Sequence, residues 1–265
     1  MDIKAVLIAV LVIAVIAVII GLVLGIAEKI FKVEVDEKEV AVREALPGSN
    51  CGGCGYAGCD AMAAAIAKGE APVSGCPVGG KPVAEKIAAI MGAEVGDVEK
   101  KIAYVKCDGS GKTKTVAYNY IGIQSCEAAS IMPGSGPYSC KYGCLGFGSC
   151  AKVCPQNAIR IIDKKAVVDE ELCIACGKCI KVCPHNLIEL VPASATYRVQ
   201  CSSHVMGKDV RDACTAGCIS CKICEKNCPS DAIHVVDNIA KIDYDKCTKC
   251  GICFGKCPRK IIKKY

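Results

Sequence analysis

The sequence has no tryptophan, three phenylalanines and three histidines in 265 residues, and aromatics make up only 5% of it. A large aromatic core is therefore excluded, as is the stacking surface of interleaved aromatics that reads nucleic acid. His185, His204 and His234 fall at no ligand-like spacing and read as surface residues. Also missing are a phosphate-cradling G-x-G-x-x-G context, a nucleophile with a partnered base and a flavin-binding signature, so the chain makes or breaks no carbon bonds. Cysteine, by contrast, is abundant, at 24 residues. In a short secreted chain that density means disulfides, and in a reducing compartment it means metal. Most of these cysteines stand two or three residues apart, poorly placed to bridge one another and well placed to wrap a cluster. Small modules follow, each folded around an inorganic centre that supplies much of its folding energy.

Residues Ala5 to Ala27 form 23 uncharged, almost wholly apolar residues. As a helix they reach about 34 Å, enough for a bilayer core of about 30 Å. A signal peptide fits less well, because the run is long for one and no small-x-small site precedes Glu28. The expectation is a single-pass anchor over residues 1–27. Lys29 and Lys32 follow it, which with the reduced thiols puts the rest of the chain on the cytoplasmic side of the cell (inner) membrane.

Residues 28–94 read as a four-cysteine domain. Cys51, Cys54, Cys59 and Cys76 are spaced C-x2-C-x4-C-x16-C, and helices are predicted over Asp36–Leu46, Asp60–Lys68 and Val83–Met91. A structural zinc ribbon would show two C-x2-C knuckles. Only one is present, which favours a [4Fe–4S] cluster. Residues 95–137 read as a strand-rich connector, with strand-like runs at 101–107 and 114–123 and a Gly-rich turn at Asp108–Lys112.

A repeat occupies the remainder. Cys154–Cys173 and Cys228–Cys247 each enclose 18 residues with a hairpin turn near Asp163–Lys165 or Asp237–Ile239. Each copy is a two-cluster ferredoxin-like module, 138–192 and 214–265, with a linker at 193–213. The whole is α+β. In such modules the fourth cysteine of each C-x2-C-x2-C-x3-C-P run ligates the other cluster. Cys247, Cys250, Cys253 and Cys228 then form one set, and Cys218, Cys221, Cys224 and Cys257 its partner. Cys173, Cys176, Cys179 and Cys154 form a set in the first copy. Cys144, Cys150 and Cys183 are left one ligand short, because Phe147 stands where the second cysteine belongs. Cys140, four residues upstream, is the expected fourth ligand, although it aligns with Cys214 in a copy that needs no extra thiol. The alternative is a three-iron cluster. Five clusters leave Cys107, Cys126, Cys201 and Cys214, the right number for a sixth; buried unliganded thiols are the alternative. Cys107 and Cys201 share a local Val-x-Cys pattern at the end of a strand-like run.

The anchor, the stretch "LPGSNCGGCGYAGCDAMAAAIAKGE...CPVGG" and the variant motif "GCLGFGSCAKVCP" together resemble the B subunit of the Rnf complex, in its long clostridial-type form with two ferredoxin pairs. The resemblance covers essentially the whole chain. It implies a membrane-anchored electron-transfer subunit of an ion-translocating ferredoxin:NAD oxidoreductase, coupled to Na+ or H+ transport. Its partners would be soluble ferredoxin and the other subunits, with NAD and flavin sites elsewhere. Other readings are a polyferredoxin of a hydrogenase- or heterodisulfide-reductase-type complex, and an iron–sulfur sensor binding nucleic acid. The four-cysteine domain argues against the first, and the lack of a helix–turn–helix or aromatic patch against the second. The net charge of +6 and the basic tail, Lys256, Arg259, Lys260, Lys263 and Lys264, suggest a docking site for an acidic ferredoxin.

Overall fold

The computed structural model describes residues 3–30, 36–96 and 99–265; Lys32, on the flank of the expected anchor, lies outside them. The apolar run forms one helix, α1 (Ile3–Ile30). Leu11, Ile13, Val18 and Leu24 of this helix are exposed. Among the described residues no helix is long and apolar enough to cross a membrane.

Three helices build the four-cysteine domain: α2 (Glu37–Ala45), α3 (Cys59–Ala67) and α4 (Gly80–Met91). Asp36 caps α2 by accepting from the Lys38 N–H at 2.9 Å. Asn50 accepts from the Cys59 N–H at 2.8 Å and so fixes the start of α3 on a cysteine. The alanine-rich face of α3 buries Met62, Ala63 and Ile66 against Val42 of α2 and Ile87 of α4. Helix α4 begins three residues before the expected Val83, because Pro82 is tolerated in a first turn whose N–H groups have no helical partner.

The two repeats share one plan. In the first, β1 (Lys101–Val105) pairs antiparallel with β4 (Ile188–Pro192), and β2 (Ile159–Ile162) pairs with β3 (Lys165–Val168). In the second, β5 (Tyr197–Val199) pairs with β8 (Ile262–Lys264), and β6 (Ile233–Val236) with β7 (Ile239–Ile242). Both tight hairpins turn through two positive-φ residues, Asp163–Lys164 and Asp237–Asn238, the combination that matches strand twist. Short helices carry cysteines in each copy: α6 (Ser149–Lys152) and α7 (Lys178–Val182), then α9 (Ile223–Lys226) and α10 (Ile252–Lys256). Before them come α5 (Cys126–Ser130) and α8 (Gly207–Ala213).

Two sequence expectations differ from this plan. The connector and the linker each lend a strand to a module, β1 and β5. The run at 114–123 is not a strand: it makes isolated bridges at Lys114 and Val116 and then loops. Its alternation misleads because Val116, Ile121 and Ile123 are exposed rather than paired on a buried face.

The modules are locked together by polar contacts. Arg198, 1% exposed, donates to Glu170 at 2.5 and 3.2 Å and to the Ala195 carbonyl. Its guanidinium lies 4.5 Å from the Tyr265 ring centre, and Tyr265 meets Tyr104 edge-on. Asp108 accepts from Lys165 of the first copy and pairs with Lys263 of the second.

Candidate metal centres

In the four-cysteine domain, Cys51 and Cys54 lie on the glycine loop, Cys59 at the head of α3, and Cys76 just before α4. Burial pushes the Cys76 thiol up, and the neighbouring Cys54 and Cys59 add to that. Backbone N–H groups of Gly53 and Gly79 point at the sulfurs of Cys51 and Cys76 at 3.5 and 3.4 Å. Such donors stabilise thiolate charge. Gly53 is also where this domain meets the first repeat. A Cβ there would stand 3.0 Å from the Cys176 carbonyl oxygen, so only glycine lets the two cysteine loops approach this closely.

In the second repeat, one cavity is ringed by Cys218, Cys221, Cys224 and Cys257, and another by Cys228, Cys247, Cys250 and Cys253. These are the crossed sets expected of a ferredoxin pair. In the first repeat, Cys173, Cys176 and Cys154 surround Cys179, whose thiol is pushed up to about 11, chiefly by burial. Paired N–H donors recur in both copies: Ala158 to Cys154 and Ala232 to Cys228, each 3.3 Å.

The remaining set differs from the expected one. The cavity of Cys144, Cys150 and Cys183 is completed by Cys126, not by Cys140. The physical reason is α5, whose first N–H, that of Cys126, donates to Ser149 Oγ at 2.9 Å and so seats the helix on α6. Phe147 packs against Tyr120 of the same loop, ring centres 5.4 Å apart. The segment between Cys107 and Cys140 is about twenty residues longer than its counterpart between Cys201 and Cys214, and this excess carries Cys126. Burial pushes Cys150 up to about 12, with Cys144, Cys126 and Cys183 adding to it.

Cys140 faces elsewhere. Together with Cys107, Cys201 and Cys214 it lines a cavity of about 150 Å³ between the repeats. Burial pushes Cys107 up to about 12 and Cys201 up to about 11. Lys114, 4% exposed, projects here, its ammonium donating to the carbonyls of Cys144 and Lys164 at 2.6 and 2.8 Å and lying 4.1 Å from the Tyr138 ring centre. Among the described residues no three or more His, Cys, Asp or Glu side chains close on a point as a single metal ion needs; the thiols instead ring cavities, and a bulky cluster held at its corners suits that spacing.

Two further side chains are placed differently from their sequence reading. Arg259 donates to the carbonyls of Gly217 and Cys214, each 3.1 Å, and Lys263 is held by Asp108. These two tail charges bind the protein itself, which leaves Lys256, Lys260 and Lys264 of the expected docking patch. His185 is half-buried, its Nδ1 2.7 Å from the Gly143 carbonyl oxygen, rather than a free surface group.

Three family models match the chain: an Fe-S cluster family over residues 46–78, a 4Fe-4S binding domain over 166–189 and a 4Fe-4S dicluster domain over 217–262. The chain is 46% identical to the B subunit of the ion-translocating oxidoreductase complex of Methanosarcina acetivorans, over 91% of either chain. It is 46% identical to the B subunit of the Na(+)-translocating ferredoxin:NAD(+) oxidoreductase complex of Acetobacterium woodii, over 98% of this chain and 78% of that one. The proton-translocating counterpart of Clostridium ljungdahlii is 41% identical, over 91% and 86%. With these matches and 24 cysteines, the chain is a carrier of multiple [4Fe–4S] clusters.

Proposed function

Because the chain belongs to the B-subunit family of the Rnf complexes, the ion-translocating ferredoxin:NAD oxidoreductases, we propose that it is their membrane-anchored port for electrons from soluble ferredoxin. It is an iron–sulfur electron-transfer subunit of an oxidoreductase and translocase, and its partners include the other subunits of that complex. A bound [4Fe–4S] cluster supplies one-electron chemistry. The protein would supply four thiolates per site and N–H donors at sulfurs such as those of Cys51, Cys76, Cys154 and Cys228.

We assign five sites to the sets described above: Cys51, Cys54, Cys59 and Cys76; Cys154, Cys173, Cys176 and Cys179; Cys126, Cys144, Cys150 and Cys183; and the two sets of the second repeat. The observation that carries the function is that these sites are contiguous. The four-cysteine loop touches Cys176 through Gly53, and the two modules are pinned by Arg198 and Asp108, so thiol-lined sites run from one domain to the next. The anchor is supported by the apolar run Ala5 to Ala27 and by the exposure of Leu11, Ile13, Val18 and Leu24 on α1. The exposed tail lysines support an acidic soluble donor as the partner. Domain limits are best drawn at β1 and β5, which open the two modules.

The test mixes reduced ferredoxin with the full-length chain in detergent under anaerobic stopped flow. Rapid oxidation of ferredoxin, slowing as salt screens the encounter, is expected; no oxidation at any ionic strength contradicts the role. For the anchor, removal of residues 1–30 should release the chain from membranes washed with carbonate.

A further inference from the structure

We propose that the loop from Thr115 to Pro137 is the contact surface for a permanently bound subunit of the same complex, met through an uncharged, apolar face. The surface rests on the assignment of the chain to the Rnf B-subunit family, and it deepens that assignment. The loop lies outside all three family matches. It also belongs to the first repeat alone, because the segment between Cys201 and Cys214 is about twenty residues shorter than its counterpart.

The first support is exposure. Ile121, Ile131 and Ile123 are 96%, 82% and 75% exposed, and Val116 and Met132 of the same loop are exposed with them. A single aliphatic side chain in water is ordinary, whereas several on one loop mark a surface that something covers.

The second is that the loop is held in shape. Ala117 N–H donates to the Pro137 carbonyl at 2.8 Å and Ser139 N–H to the Thr115 carbonyl at 2.9 Å, which closes the base. Tyr118 Oη donates to the Pro133 carbonyl at 3.1 Å, and Tyr120 Oη to that of Ile123 at 2.9 Å. Ser125 caps α5 by accepting from the Ala128 N–H at 3.2 Å. The isoleucines are thus presented from a fixed backbone, which lowers the ordering cost of binding.

The third is charge, and it selects the occupant. Between Lys114 and Lys141 the only charged side chain is Glu127, where the chain's average of 23% would put about six in 26 residues. An acidic soluble partner is drawn by positive charge, and an anionic lipid surface by lysine and arginine. The loop offers neither of them a basic patch. Lasting subunit interfaces are apolar and depleted of charge at their centres, and this loop has that composition. Its place gives the contact a use. Cys126 opens α5 within the loop and lines the cavity of Cys144, Cys150 and Cys183, so a subunit seated on the loop lies against that site.

The test purifies the whole complex in detergent through a tag on this chain and quantifies its subunits by mass spectrometry. In the triple variant Ile121→Asn, Ile123→Asn, Ile131→Asn, retention of at least one identified subunit should fall at least tenfold. Iron content of the tagged chain and its oxidation of reduced ferredoxin should stay at wild-type values. Ile162→Asn, at an exposed isoleucine of the β2 strand, should leave the subunit ratios unchanged. Wild-type ratios in the triple variant overturn the proposal. So does an intact complex that no longer oxidises ferredoxin, which puts the soluble donor on the loop, or an intact complex whose tagged chain alone loses binding to anionic vesicles, which puts lipid there. Should the triple variant lose iron, a photo-crosslinking residue at position 123 decides: an adduct to another subunit is expected, and none, or one to a second copy of this chain, overturns the proposal. A wild-type chain that retains no other subunit would instead sink the assignment on which this one rests.

Discussion

Replacing Lys114 by methionine keeps the side chain's length and deletes one buried positive charge. The ammonium lies 2.6 Å from the carbonyl oxygen of Cys144, and a separation on the order of 7 Å from the charge of the thiolate group there is taken for the Coulomb energy. With an effective dielectric of about 20, Coulomb's law gives about 2.4 kcal/mol for each added electron, which is roughly 100 mV for a one-electron couple. The reduced state is the more negative one, so loss of the cation lowers the reduction potential. EPR-monitored redox titration of full-length Lys114→Met should therefore move the signal of the cluster at Cys144 downward and leave those of the second repeat in place. Lys114→Arg, which keeps the charge, should stay near wild type and separates the charge from the two hydrogen bonds the lysine makes. Burial lowers the pKa of this lysine, against the opposing pull of neighbouring cysteines, and unshifted potentials in Lys114→Met would mean a neutral or remote amine and would refute the reasoning.

Three other outcomes are expected. Cys126→Ala should convert one four-iron cluster to a three-iron form visible by EPR in the oxidised protein, whereas adding Phe147→Cys, at the position of Cys221 in the other repeat, should restore the fourth iron; an unchanged spectrum in Cys126→Ala would return the ligand role to another thiol. Arg198→Met should weaken the lock between modules by about 2–3 kcal/mol, discounted because Glu170 is partly exposed, and lower the thermal midpoint of cluster loss by about 5 °C. Burial raises the Asp108 carboxyl, but Lys165 and Lys263 outweigh it and hold it below its ordinary value. Its contribution is thus complete above the unfolded carboxylate value of about 3.9 and is lost as pH falls through the lower folded value. The stability gap between wild type and Asp108→Asn should be flat from about pH 5 to 8 and close only below about pH 4.

The ferredoxin pairs were legible in the sequence because their ligands are local. Spacing along a short loop decides which sulfurs can reach one cube, and the hairpin signals at Asp163 and Asp237 fix the return. The four-cysteine domain was legible for the same reason, with its first helix opening at Asp36. Cys126 was not, because it comes from a loop about twenty residues longer in one repeat than in the other and is seated by a hydrogen bond to Ser149, far along the chain. Chain proximity favoured Cys140, but tertiary packing turned it towards Cys214. The basic tail shows a related limit. Composition counts Arg259 and Lys263 as free charge, whereas backbone carbonyls and Asp108 occupy them.

The most direct measurement is the iron anomalous-scattering map of the full-length, anaerobically reconstituted chain. The account predicts a compact iron peak at each of the five assigned cysteine sets, among them one ringed by Cys126, Cys144, Cys150 and Cys183. No peak at one of these sets, or a peak joining Cys140 to Cys144, Cys150 and Cys183, would contradict it.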